Sequence, residues 1–155
     1  MEPRFRILRC SWRDHGALLA LVRQKVFAVE MRIAPEHDQD GRDPTSIHVL
    51  AVADDGSPIG AGRLEPNGTI GRIAVLMPWR QHGVGSALLE ELIAIALERG
   101  QQQVTLAAPI TAQGFYEAHQ FQAAGCVYME AGIPHRTMRL ALNSARQPRP
   151  QHLAS

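Results

Sequence analysis

The residues best suited to chemistry lie in one run, Gly71-Arg72-Ile73-Ala74-Val75, then a short loop, then Arg80-Gln81-His82-Gly83-Val84-Gly85-Ser86. Apolar alternation up to Val75 predicts a strand, and the pattern from Val84 predicts a long helix. A strand feeding a glycine turn that opens a helix aims unpaired backbone N–H groups at one point, with the positive end of the helix dipole behind them. Glycines let the backbone approach a bulky anion with no Cβ in the way. The chemistry this implies is a phosphate or pyrophosphate cradle, with Arg80 available for a charge-assisted contact. The alternative is that Gly83 and Gly85 only let a helix pack closely on a sheet. The Walker A pattern is absent, and a dinucleotide fingerprint fails because its third glycine falls at Leu88.

Several elements must position that turn. Phe5 to Arg9 alternates as a first strand, and Asp14 is a candidate cap for a helix to about Val29. Leu18, Leu21, Val22, Val26 and Val29 fall on one face of that helix. The stretch from Met31 to Ser46 reads as a long loop. Ile47 to Ala53, Ile59 to Glu65 and Thr69 to Val75 read as three antiparallel strands joined at Asp55-Gly56 and Asn67-Gly68. The helix from Val84 to Arg99 is apolar on almost every side, which predicts burial against a sheet, and Gly100 ends it. Val104 to Ala108, a short helix Gln113 to His119, Cys126 to Glu130 and Thr137 to Leu142 complete the order β-α-βββ-α-β-α-ββ. That order is an α+β fold, a mostly antiparallel mixed sheet flanked by helices. Residues 1–143 form one domain, and 144–155 read as a polar flexible tail.

Composition narrows the function. Hydrophobic residues make up 45% of 155, enough for a continuous core. Sixteen basic against fifteen acidic residues give a charge of +1, which argues against nucleic acid as a partner. No signal-peptide pattern and no long apolar run are visible, so a soluble cytoplasmic protein with no membrane partner is expected. Cys10 and Cys126 read as reduced thiols and small core residues. Seven scattered histidines show no ligand spacing, and an EF-hand reading fails at Val49, so no metal is expected. No serine sits in a GxSxG turn, which removes the hydrolase reading.

Arg80-x-x-Gly83-x-Gly85 after a strand resembles the R/Q-x-x-G-x-G/A signature of the GNAT superfamily of acyl-CoA N-acyltransferases. Phe115-Tyr116 in FYEAHQF resembles that family's second helix motif. VRQKVFAVEM (Val22 to Met31), DQDGRD (Asp38 to Asp43) and YMEAGIPHRTM (Tyr128 to Met138) resemble its ElaA-like branch. Two departures stand out: Gln120 where a glycine is usual, and Pro109-Ile110 where a polar amide is common.

The resemblance implies acetyl-CoA as co-substrate and a small-molecule or peptide amine as acceptor, with a homodimer as a possible assembly. It implies a strand at Ile73, Ala74 and Val75 that splays from its neighbour and offers backbone groups to pantetheine, the Val75 N–H to the thioester oxygen. Arg80, Gln81, His82, Gly83, Val84, Gly85 and Ser86 would bind the pyrophosphate. Tyr116 would meet the departing thiolate. At ordinary values of about 8.5 for a thiol and 10 for tyrosine, full proton transfer is uphill by roughly 2 kcal/mol, so a hydrogen bond is the expected role. For the base, Glu30, His48, Glu130 and His135 are all compatible; Glu130 and His135 in EAGIPH are favoured to line the amine pocket, with a stiff hairpin turn as the plain alternative. The acidic run Glu36, Asp38, Asp40, Asp43 reads as a solvated loop, or as an attractor for a cationic amine. The rival to an enzyme is a non-catalytic acyl-CoA sensor, which needs the cradle but not Tyr116.

Overall fold

A computed structural model describes residues 4–142; the tail expected at 144–155 lies outside the described residues. Strands β1 (Phe5–Ser11), β2 (Ile47–Ala53), β3 (Pro58–Leu64) and β4 (Ile70–Val75) form an antiparallel sheet in that order. The second sheet contains β5 (Gln103–Pro109), β6 (Gln122–Ala123), β7 (Tyr128–Glu130) and β8 (Ile133–Ala141). There β8 pairs with β5 along one edge and with β6 and β7 along the other. The two sheets meet through a parallel bridge between Thr69 and Thr105. The expected α+β architecture is therefore present, with β6 as an added strand.

Both faces of the first sheet are covered. Val49 and Ala51 belong to the core that holds α3 (Val84–Glu98), while Leu50 and Val52 belong to the core under α1 (Trp12–Arg23). This is the period-two alternation of a strand buried on two sides. α3 lies close to β3 because Gly60 and Gly62 stand beneath it. A Cβ at either would come within 3.0 Å of Leu88 or Leu92. Val84, Leu88, Leu89, Leu92, Ile93, Ile95 and Ala96 are all buried, as an all-round apolar helix requires.

The first helix differs from expectation in three ways. Its cap is Ser11, whose hydroxyl accepts the Asp14 N–H, so Asp14 sits in the first turn. The buried stripe is Leu19, Val22, Arg23 and Val26, whereas Leu18, Leu21 and Val29 face solvent. The positions run i, i+3, i+4, i+7, but one is an arginine, which apolar counting misses. Beyond Arg23 the chain continues as a π-helical segment, Gln24–Glu30, and two residues past its end Arg32 has φ of 57°.

Further corrections follow down the chain. The loop from Met31 holds a short helix α2 (Pro35–Asp38) and a 3-10 turn at Asp43–Thr45. Its acidic run is only partly solvated: Glu36 and Asp40 are exposed, while Asp38, Asp40 and Asp43 are all held by arginines. Cys10 is half-buried and Cys126 exposed, so the core reading fails for Cys126. Only the Gly132 of GIPH belongs to the turn of its hairpin. Ala131 and Gly132 turn it with positive φ (51° and 76°), and Ile133, Pro134 and His135 already belong to β8. Gln120 holds φ of 75° after α4 (Gln113–Ala118), which explains why a glycine suits that position.

Candidate functional site

β4 and β5 run parallel from the Thr69–Thr105 bridge but belong to different sheets, so they part toward Val75 and Pro109. The parting has a local cause in β4. Arg72 holds a left-handed backbone (φ 52°), and the register with β3 shifts between the Ala61–Ala74 and Arg63–Gly71 pairs. This is a bulge, which bends the strand and breaks its ladder. Past it the ladder resumes, and the Leu76 N–H donates to the Ile59 carbonyl at 2.9 Å. In an antiparallel pair bonded and non-bonded positions alternate. With Ile59 opposite Leu76 bonded, Val75 opposite Gly60 is non-bonded, and its N–H and C=O turn toward the gap.

At the top of that gap the chain turns into α3. Gln81 and Gly83 both have positive φ (64° and 83°), and Gly83 occupies the helix N-cap without a side-chain capping bond. The first-turn N–H groups of Val84, Gly85 and Ser86 have no intrahelical acceptors and add to the dipole's positive end. Gly85 faces Val75 and Phe115, and a Cβ there would meet them at 3.6 Å or more, an ordinary contact. Packing therefore does not demand glycine at 85. Gly83 is different, because its backbone conformation alone favours glycine.

Arg80 is already engaged within the chain. Its Nε donates to the Val75 carbonyl at 3.0 Å, and its two terminal nitrogens donate to the Glu30 carboxylate at 2.6 and 2.7 Å. It ties the end of β4 to the π-helical segment. The hydrogen bonds from Arg80 hold the Glu30 carboxyl below its usual range, which makes Glu30 a poor base. His82 packs edge-on against Trp79. Ser86 shares a partly buried relay that sequence reading missed. His119 donates from Nδ1 to Glu90 at 2.6 Å and, as a neutral ring, accepts the Ser86 hydroxyl at Nε2 at 3.0 Å. The relay pins α4 to α3 beside the glycine turn. Three residues from two distant segments build it, so no local spacing could reveal it.

Below the turn lies a pocket of about 440 Å³. Ile73 of β4, Leu106 and Pro109 of β5, and Tyr116 of α4 line it from the gap side. Glu130 and His135 line it from the β7–β8 hairpin, and Phe27, Met31 and Ile33 from the segment after α1. Tyr116, Glu130 and His135 thus share one cavity. Tyr116 is buried, its ring against Phe115 and Phe121, and burial pushes its phenol up to about 12. His135 Nδ1 lies 2.7 Å from the Ile133 carbonyl. A carbonyl only accepts, so Nδ1 carries the proton and Nε2 presents its lone pair in the neutral ring. Nε2 is 3.8 Å from a Glu130 carboxylate oxygen, and the ring stacks on Tyr128.

His48, the remaining candidate base, is elsewhere. It is buried against Trp12, with Nε2 3.0 Å from the Asp43 carbonyl, and burial lowers its pKa. Its role is structural.

The charged wall of the pocket is a continuous ion-pair network. Arg23 pairs with Asp38 and Asp43, Arg63 with Asp40, Asp43 and Glu65, Arg72 with Asp38 and Asp40, and Arg42 with Glu65. For Asp43 burial favours the neutral acid, but hydrogen bonds from Arg23 and then Arg63 outweigh it and hold the carboxyl below its usual range. Among the described residues no cluster suits a metal ion, and no helix is long and apolar enough to cross a membrane.

Comparison with known proteins bears on this geometry. Residues 24–142 match the family model described as an acetyltransferase (GNAT) domain. YjcF of Bacillus subtilis (strain 168), an uncharacterized N-acetyltransferase, is 33% identical over 121 residues, covering 76% of this chain and 86% of YjcF. The crystal structure of a candidate N-acetyltransferase from Lactobacillus plantarum superposes with a TM-score of 0.83 at 27% identity, over 90% of this chain and 99% of that one. ElaA of Escherichia coli superposes at 0.73 with 29% identity, over 88% and 98%.

Proposed function

This chain belongs to the GNAT family and is an acyltransferase, and we propose that it moves the acetyl group of acetyl-CoA to the primary amine of a small molecule or peptide by direct attack in a ternary complex. The observation that carries the reading is the meeting of Tyr116, Glu130 and His135 in one pocket, at the place where β4 and β5 part and Val75 turns its N–H to the gap. A binding module needs the cradle; it does not need a phenol, an imidazole and a carboxylate facing the same space.

In this reading the N–H groups at Gly83, Val84, Gly85 and Ser86 hold the pyrophosphate. Pantetheine runs down the gap past Ile73, Ala74 and Val75. The Val75 N–H meets the thioester oxygen, where negative charge develops. Gln81 and His82 shape the turn, and Arg80 braces it through Val75 and Glu30.

The acceptor arrives as an ammonium, since an alkyl amine has a reference pKa near 10.4. His135 Nε2 takes one proton, directly or through water, and Glu130 stabilises the imidazolium formed. The neutral amine attacks the carbonyl carbon, and the tetrahedral intermediate expels CoA thiolate as the C–S bond breaks. Tyr116 donates a hydrogen bond to that thiolate. The amide nitrogen passes its second proton through water to the thiolate, and His135 returns the first to solvent, so the products are an amide, CoA thiol and one released proton.

The test is thiol release from acetyl-CoA in the presence of amines, beside calorimetric titration of acetyl-CoA. Amine-dependent release is the expected result. Tight acetyl-CoA binding without release under any amine would establish the sensor reading instead.

A further inference from the structure

The lining of the amine pocket carries information about which amine fits. Three of its carboxylates, Asp38, Asp40 and Glu65, are in ion pairs with Arg23, Arg42, Arg63 and Arg72. With Asp43 behind them the network sets four guanidinium groups against four carboxylates, so its net charge is zero. Asp43 and Arg63 are buried, which makes breaking these pairs to serve a ligand costly. Glu130 is the lining carboxylate outside this network. Its described partner is His135 at 3.8 Å, and its side chain is 57% exposed. Much of the remaining lining is apolar: Phe27, Met31, Ile33, Ile73, Leu106 and Ile133.

A ligand entering this space meets one uncompensated anionic group, a neutral ionic wall and apolar side chains. We infer that the acceptor is a small monoamine on an uncharged, largely apolar stem, its ammonium docked at Glu130 beside His135 and its stem along Phe27, Met31 and Ile33. A second ammonium further along the stem would find carboxylates already held by arginine. A carboxylate there would have to draw a guanidinium from an existing pair, Arg42 from Glu65 or Arg63 from Asp40 and Asp43. Either charge would give up water for a partner that already serves an ion pair, which is the costly case.

This inference rests on the acyltransferase reading above, and the test separates the two. Hexylamine, 1,6-diaminohexane and 6-aminohexanoate share a chain and differ in the far group: methyl, ammonium or carboxylate. Their affinities are measured by calorimetry with CoA present, which needs no turnover. Hexylamine should bind at least tenfold more tightly than either of the others. Equal or tighter binding of the diamine or the amino acid overturns the inference, as does failure of hexylamine to bind. Glu130→Gln should weaken hexylamine by about threefold to fivefold, the range for a solvent-screened ion pair. An unchanged affinity in that variant overturns the docking at Glu130. Thiol release from acetyl-CoA with the same three amines decides the reading beneath it: hexylamine that binds in the expected rank but releases no thiol refutes acyl transfer while leaving the pocket's selectivity established.

Discussion

Replacing Tyr116 by Phe isolates one hydroxyl. The ring is held between Phe115 and Phe121 and is buried, so phenylalanine keeps the packing. Burial raises the phenol to about 12. Against a thiol near 8.5, proton transfer to the leaving thiolate is uphill by about 3.5 pKa steps, or roughly 5 kcal/mol. That exceeds the cost at ordinary pKa values, so the environment moves Tyr116 away from acid catalysis and toward hydrogen-bond donation. A hydrogen bond to a charged group contributes about 1.5–3 kcal/mol. The bond would form only as thiolate charge develops, so its loss should appear in kcat, by a factor of about 10 to 150, with acetyl-CoA affinity nearly unchanged. Continuous thiol release at saturating acetyl-CoA measures the first quantity and calorimetry the second. The phenol stays protonated well past pH 9, so mutant and wild-type pH profiles should run parallel there. Normal turnover in the variant would refute the role. A high-pH limb present in wild type and lost in the variant would refute the hydrogen-bond account in favour of proton transfer.

Three further outcomes are expected. Gly85→Val should weaken acetyl-CoA at least tenfold, about 1.4 kcal/mol; Gly85→Ala, whose Cβ meets only ordinary contacts, should leave Tm little changed, whereas Gly83→Val, at φ of 83°, should lose stability. His135→Ala should lower the amine specificity constant most at low pH and recover partly as pH rises, and a profile parallel to wild type would remove the base role. Asp43→Asn should cost about 3–5 kcal/mol in urea unfolding at neutral pH by leaving Arg23 and Arg63 under-compensated. The Asp43 carboxyl is held below its usual range, so its contribution is complete above about pH 4 and fades as pH falls through the folded value. Stability of the variant should therefore fall less steeply on acidification below pH 4.

Sequence patterning is informative where one residue type does one job. The strands at Ile47, Ile59 and Thr69 declared themselves through alternation and through Asp55-Gly56 and Asn67-Gly68, where Gly56 and Gly68 do adopt positive φ. The turn at Gly83 and the all-round apolar α3 were legible for the same reason. Patterning fails where a residue is used against type. Arg23 occupies a buried helical position, which displaced the expected stripe toward Leu18 and Leu21. Arg80 sits in the phosphate motif yet gives its fork to Glu30, a partner fifty positions away. The Asp38–Asp43 run looks like a solvated loop until Arg63 and Arg72, on other strands, are brought to it. Local periodicity carries no trace of such long-range pairings. The shared pocket of Tyr116 and His135 was anticipated only through family resemblance, because it depends on how two sheets meet.

The same network explains why the gap between β4 and β5 stays open at a strained residue. A non-glycine side chain in the left-handed region costs about 1–2 kcal/mol, and Arg72 carries that cost where β4 leaves its ladder. Its guanidinium is tied to the His37 and Asp38 carbonyls and to the Asp40 carboxylate at 3.0–3.3 Å, all in the loop that walls the pocket. Those bonds exist only if the bulge aims Arg72 at that loop, so they offset the strain and fix it. Straightening β4 would withdraw Arg72, leaving Asp40 to Arg63 and loosening the Asp38 carbonyl. At the other end of β4, Arg80 ties the Val75 carbonyl to Glu30, whose π-helical segment also carries Phe27 into the pocket. The strand that would offer its backbone to the donor is thus clamped at both ends to the elements that shape the acceptor side. A displacement of either clamp would move the Val75 N–H and the pocket wall together.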